Sequence, residues 1–228
     1  MNFDIFLMRA FDSPLLFVSV LFTVVLSITL HELAHGWTAI RLGDDTPIRA
    51  DRMTVNPLVH MGGWSLLALA LVGIAWGQMP IDRTRVRGRH GGAWVALAGP
   101  ATNLLLAAAA LTAVGLWARL NHDVFGPMAR DEDWVGRAGF FLQTFGMVNL
   151  LLCVFNLLPV PPLDGSHVLA SFHRGYDRFI SDPNNGGPLM LMFIVAFVLA
   201  GALFAPAAQA AAAYVELLCG YEVAIGPQ

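Results

Sequence analysis

A long apolar run from about Pro14 to Ile40 carries three ionisable residues, His31, Glu32 and His35, near its C-terminal end. A run of this length can span a bilayer core of about 30 Å. Each ionisable side chain at membrane depth costs about 2.5–3.5 kcal/mol on insertion scales, so a cluster of them needs a reason to be there. On a helix, positions i and i+4 share one face, so His31 and His35 aim two imidazoles at one point. That is the grip needed for a zinc ion, with Glu32 beside it as a candidate general base. Zinc in such a site lowers the pKa of a bound water to about 7. Glu32 would take that water's proton and pass it to the leaving amine. The plainer alternative is a polar bundle interior in which the three residues only hydrogen-bond to one another.

The rest of the chain supports a membrane setting. Of 228 residues, 57% are hydrophobic and 13% charged, about half the charged share of a soluble domain. The expected fold is all-α, a polytopic transmembrane helix bundle forming one domain over residues 1–228. Its core covers about 14–180, with a C-terminal helical region at 188–220. Residues 1–13 read as an interfacial lead-in and not as a removable signal peptide. All thirteen basic residues are arginines, and nothing resembles the basic and aromatic footprint of a nucleic-acid binder. Cys153 and Cys219 are too far apart for a CxxC metal site and form no disulfide framework.

Further apolar spans are expected at about Ala93–Ala118 and Ala138–Leu158, with an acidic stretch at 123–133 between them. A last apolar region, Leu189–Leu218, is divided by Pro206 into one bent span or a span plus an interfacial helix. Residues 64–79 are apolar but near the lower limit for a span. Arg83, Arg85, Arg87 and Arg89 alternate, which fits an extended strand with one charged face. Residues 166–180 read as a short interfacial helix.

A catalytic zinc usually has three protein ligands and an open position, so His31 and His35 need a partner. Asp164 follows a long apolar span and lies in the Pro-rich segment PVPPLDG. Irregular backbone near membrane depth is tolerated only where it lines a cavity or is buried in protein. Leu-Asp-Gly is equally a common turn sequence.

HELAH in an apolar helix, AGPATN at 98–103 and FNLLPVPPLDG at 155–165 together resemble the site-2 protease family of intramembrane zinc metalloproteases. The last segment matches the family's Asn-x-x-Pro-x-x-x-x-Asp-Gly pattern through Asn156, Pro159, Asp164 and Gly165. NPLVH at 56–60 resembles the compact bacterial members, and the sequence shows no PDZ insertion. The resemblance implies one zinc ion held by His31, His35 and Asp164, with Glu32 as catalytic base. It also implies that Asn156 positions the substrate or polarises its carbonyl; a cap or backbone-pairing role is the alternative. Gly99, Pro100 and Asn103 are read as helix entry and close packing. The expected substrates are transmembrane proteins or peptides, cut in or near the bilayer. MGGWS at 61–65 and the arginine run depart from the compact relatives' usual pattern. His60, His90, His122, His167 and His173 are read as hydrogen-bonding residues and not ligands.

Topology supplies an independent check. His31 and His35 lie near the C-terminal end of the first span, and Asp164 follows the C-terminal end of the third clear span. These ends share a side only if residues 64–79 dip in and return. That arrangement places nine of the thirteen arginines on the active-site side, leaving Arg9, Arg119, Arg130 and Arg137 opposite. The positive-inside rule then makes the site cytoplasmic, in the cell's inner membrane. A crossing at 64–79 would split the arginines seven to six. Two other functions compete. A metal-ion transporter would use the same cluster but needs polar groups along a full transmembrane path. A non-catalytic scaffold would have no use for an intact Glu32. The sequence leaves homo-oligomerisation open.

Overall fold

Pro14 opens the first long helix, a position where its missing N–H is not needed. The structure, a computed structural model, describes residues 9–120 and 134–220. The acidic stretch at 123–133, His122 and most of the N-terminal lead-in lie outside the described residues.

A single turn, α1 (Arg9–Asp12), leads into α2 (Pro14–Arg41), followed by α3 (Thr46–Arg49) and α4 (Pro57–Val72). After a non-helical strap come α5 (Gly91–Leu120) and α6 (Trp134–Asn156). The Pro-rich turn leads to α7 (Asp164–Phe172), α8 (Arg174–Ser181), a 3-10 turn at Pro183–Asn185, and α9 (Gly186–Cys219). Among the described residues four helices are long and apolar enough to cross a membrane: α2, α5, α6 and α9. The fold is all-α and polytopic, and α5 is central, packing against α2, α6, α7 and α9. The outer faces expose large apolar side chains such as Val18, Leu105, Val198 and Leu217, as expected where the surrounding solvent is lipid tails.

The segment at 64–79 does return. In α4, Gly62 breaks the helix with φ 70° and ψ 166°, leaving ten residues from Gly63 to Val72. Ten residues rise about 15 Å, half of what a crossing needs. Gly73, in the left-handed region at φ 77°, then reverses the chain. The return leg pairs with the outgoing one: the Ser65 hydroxyl donates to Trp76 O at 2.7 Å and accepts from Trp76 N at 2.9 Å. Further back, Gln78 N donates to His60 O at 3.1 Å. The backbone of this irregular strap is thereby satisfied by α4, which permits it at membrane depth.

The arginine-bearing segment is not a strand; none forms among the described residues. Its backbone bonds go to turns and to the end of α2 instead of to a neighbouring strand. Asp82 accepts from Thr84 N and the Thr84 hydroxyl, and Arg85 N closes on Asp82 O. Arg87 N donates to Leu42 O at 2.8 Å. Pro100 lies inside α5 and not at its start. Of the two readings of the last apolar region the structure shows the single span, with Pro206 inside one continuous α9. The single helix expected at 166–180 is two helices broken at His173, whose ring accepts from Tyr176 N at 3.0 Å.

Asp44 moors the strap. It is fully buried and accepts from Thr46 N, the Thr46 hydroxyl and Asp82 N. Burial would raise its carboxyl, but these donors outweigh that and hold it below its ordinary value. A carboxyl so depressed stabilises the fold at neutral pH, and the contribution fades as pH falls below the ordinary carboxylate range. Hydrogen bonds to a charged group contribute about 1.5–3 kcal/mol each. Asp44→Ala should therefore raise tryptic cleavage at Arg83–Arg89 in detergent about tenfold or more. Wild type should show the same sensitisation on acidification, read with an acid-active protease. Unchanged cleavage in the variant would remove Asp44 from this role.

Candidate active site

His31, Glu32 and His35 sit in the last turns of α2, and each is at most 8% exposed. Asp164 opens α7, which follows the Pro-rich turn with its cis Pro161–Pro162 peptide. The turn is held from outside by the Tyr176 hydroxyl, which donates to Pro159 O at 2.7 Å. Gly165 fits because a Cβ there would stand 2.1 Å from Leu157 O. This packing carries Asp164 to the histidines. Its Oδ2 lies 3.0 Å from His31 Nε2, its Oδ1 3.3 Å from His35 Nε2, and the two Nε2 atoms are 2.9 Å apart.

The other ring nitrogens are committed elsewhere. His35 Nδ1 lies 2.6 Å from Val95 O, an acceptor only, so Nδ1 carries the proton. His31 Nδ1 lies 2.6 Å from Asn103 Oδ1. Neutral imidazoles so arranged turn both Nε2 lone pairs toward each other and toward a carboxylate. Such a set repels itself unless a cation sits within it. Two imidazole nitrogens and a carboxylate are a donor set that zinc takes, with the remaining nitrogens engaged by outer partners. Among the described residues, His31, His35 and Asp164 form the one group of this kind, and it could hold a metal ion.

Sequence reasoning missed part of this centre. Gly99 makes room for the ligand cluster: a Cβ there would lie 2.4 Å from both Nε2 atoms. Asn103, read as a packing residue, touches His31 directly. Its signal was available as a side-chain amide inside an apolar span. Pro100 also acquires a local role. It has no N–H for Ala96 and crowds that carbonyl, loosening the helix ladder next to the Val95 carbonyl that His35 uses.

A cavity of about 1000 Å³ opens over the cluster. One wall is the strap, laid along α2 with Gly77 over Ile28 and Glu32, and Met79 over Gly36. Two extended residues advance about 6.6 Å and one helical turn 5.4 Å, so the strap keeps step with the α2 face. Opposite are Phe155 and Asn156 of α6 and Phe193 and Phe197 of α9. Asn156 donates from Nδ2 to Leu152 O at 3.0 Å while lining the cavity. Arg83 and His167 line it as well. Burial, then the Arg83 charge, keeps the His167 imidazole below its ordinary pKa. The His60 ring donates from Nε2 to Thr54 O at 2.6 Å. His90 stacks on Phe172.

Residues 19–201 match the model of Peptidase family M50. The chain belongs to that family. It is 34% identical over 149 residues to "Putative zinc metalloprotease YwhC" of Bacillus subtilis, covering 64% of this chain and 65% of the relative. It is 35% identical over 162 residues to "Putative zinc metalloprotease Rip2" of Mycolicibacterium smegmatis, covering 67% and 58%. A third relative, "Putative zinc metalloprotease MJ0611" of Methanocaldococcus jannaschii, is 31% identical over 157 residues, covering 69% and 72%. The chain thus spans under two thirds of the length of the first two relatives. No solved structure matches.

In this M50 chain the ligand cluster tolerates no side chain at position 99. Gly99→Ala should push both imidazoles aside and lower the bound zinc per protein by about tenfold or more, in line with losses caused by disturbing ligand orientation. Elemental analysis after dialysis against a weak chelator reads this directly. A variant with full zinc would show that the contact is harmless.

Proposed function

We propose that this chain is a zinc-dependent intramembrane endopeptidase that hydrolyses peptide bonds in or near transmembrane segments of membrane proteins. The convergence of His31, His35 and Asp164 beside Glu32 in a cavity reached from one end of the bundle carries this reading. His31, His35 and Asp164 would hold the zinc ion. A zinc ion so held supplies Lewis-acid polarisation and makes a bound water acidic enough to react at neutral pH. Glu32 takes a proton from the attacking water and returns it to the leaving nitrogen. Asn156 gives one N–H to Leu152 O and has a second for a substrate carbonyl, which would fix the scissile bond's orientation.

The cavity has the character such a substrate requires. Its apolar lining accepts an extended stretch of a membrane segment, and the polar atoms gather at the cluster. The arginine asymmetry supports a cytoplasmic-facing site in the inner membrane. The metal-transporter alternative needs a route through the bilayer. Ser19, Thr23 and Ser27 do run down α2 beneath His31 and are buried, but the cavity lining on α2 goes no further than Ile28.

The direct test is cleavage of a model single-span substrate by detergent-purified protein. Glu32→Gln should keep its zinc and lose about 10²–10⁴ in rate, the usual contribution of a general base. Asp164→Ala should lose zinc and activity together. If Glu32→Gln cleaves like wild type, the mechanism is wrong. If Asp164→Ala keeps full zinc, Asp164 is not a ligand.

A further inference from the structure

His35 receives its orientation from a backbone carbonyl one helix away. His31 receives its own by a longer route, which starts on a different helix. Asn149, in the middle of α6, is fully buried, as is Asn103 on α5. Asn149 Nδ2 donates to Phe145 O at 2.9 Å. Asn103 Nδ2 donates to Asn149 Oδ1 at 2.9 Å, and Asn103 Oδ1 faces His31 Nδ1 at 2.6 Å.

The direction of this chain is not free. Phe145 O can only accept, so Asn149 must turn its NH₂ toward it. Its Oδ1 then faces Asn103 and needs a donor, which fixes the Asn103 amide. The oxygen of Asn103 is left facing His31 Nδ1, which must therefore carry the ring proton. Flipping Asn149 alone would bury its oxygen against Phe145 O. Flipping Asn103 alone would bury two amide oxygens face to face. Either leaves unpaired acceptors in a dry interior, the arrangement that buried polar networks avoid.

We infer that Asn149 is a positioning residue for the metal centre, acting through Asn103 to hold His31 in the tautomer whose Nε2 is free to ligate. The inference rests on the proposed role of His31 as a zinc ligand. It makes α6 contribute twice: once from its middle, through Asn149, and once beyond its C-terminal end, through the turn that delivers Asp164.

The test uses zinc affinity of the full-length protein in detergent, by competition with a chromogenic chelator. Asn103→Leu should weaken zinc binding ten- to a hundredfold, the range seen for outer partners of metal-bound histidines. Asn149→Leu should weaken it about tenfold although it touches no ligand. The double variant should be no weaker than Asn103→Leu, because Asn149 acts through Asn103. Asn149→Asp, held neutral by burial, would donate its carboxyl O–H to Phe145 O and keep an oxygen toward Asn103, so it should stay within about threefold of wild type. Cobalt-substituted protein should show an altered d–d spectrum in Asn149→Leu and a near-normal one in Asn149→Asp. Should Asn149→Leu not fold, Asn149→Ala carries the same comparison. The inference is overturned if Asn149 variants bind zinc like wild type, or if the Asn149 loss adds in full to that of Asn103→Leu. If wild type itself binds no zinc, the proposed function fails instead, and the two failures are distinct.

Discussion

Three electron-rich groups from two distant parts of the chain, two imidazoles and a carboxylate, approach one another to between 2.9 and 3.3 Å in the apolar interior of a helix bundle. Without a cation between them this arrangement opposes folding, because each lone pair is desolvated and faces another. Much of the surrounding structure serves to keep them there. The Pro-rich turn delivers Asp164, Gly99 leaves space at the rings, and the outer nitrogens are tied to Val95 and Asn103. A metal ion bound by this group would hold the ends of α2 and α6 together as well as serving the proposed chemistry.

The strap shows a second constraint. A bilayer gives no water to irregular backbone, so any non-helical segment at depth must be satisfied by protein. Ser65 does this for Trp76 at both its N–H and its carbonyl, and His60 does it for Gln78. Such a segment can stand against Glu32 and form a cavity wall, where a helix could not approach so closely because of its side chains. Gly77 is the point of closest approach.

Much of this was legible in the sequence, for identifiable reasons. Long apolar runs predict membrane helices because the bilayer imposes both length and composition, and α2, α5 and α6 fall within a few residues of expectation. The return at 64–79 could be read because two unrelated quantities, ligand sidedness and arginine asymmetry, demanded it. The arginine alternation misled because period-two charge says nothing about whether a partner strand exists; here Asp82 and Asp44 take the backbone donors instead. Asn103 was read only as a packing residue and Asn149 was passed over, because a single amide in an apolar helix does not announce its partner. Their meaning depends on α5 and α6 lying side by side, which brings together two positions 46 apart in sequence.

The α4 hairpin also settles a question of parity. It leaves on the side from which it came and so contributes no crossing. Among the described residues the long helices α2, α5, α6 and α9 then contribute four, an even number. In a bilayer crossed by these four helices, residue 14 and residue 219 would face the same compartment, and the His31, His35 and Asp164 cluster the other. Any sequence fused before α2 or after α9 would emerge away from the compartment toward which the cluster opens, and reporters placed at these two points should agree with each other.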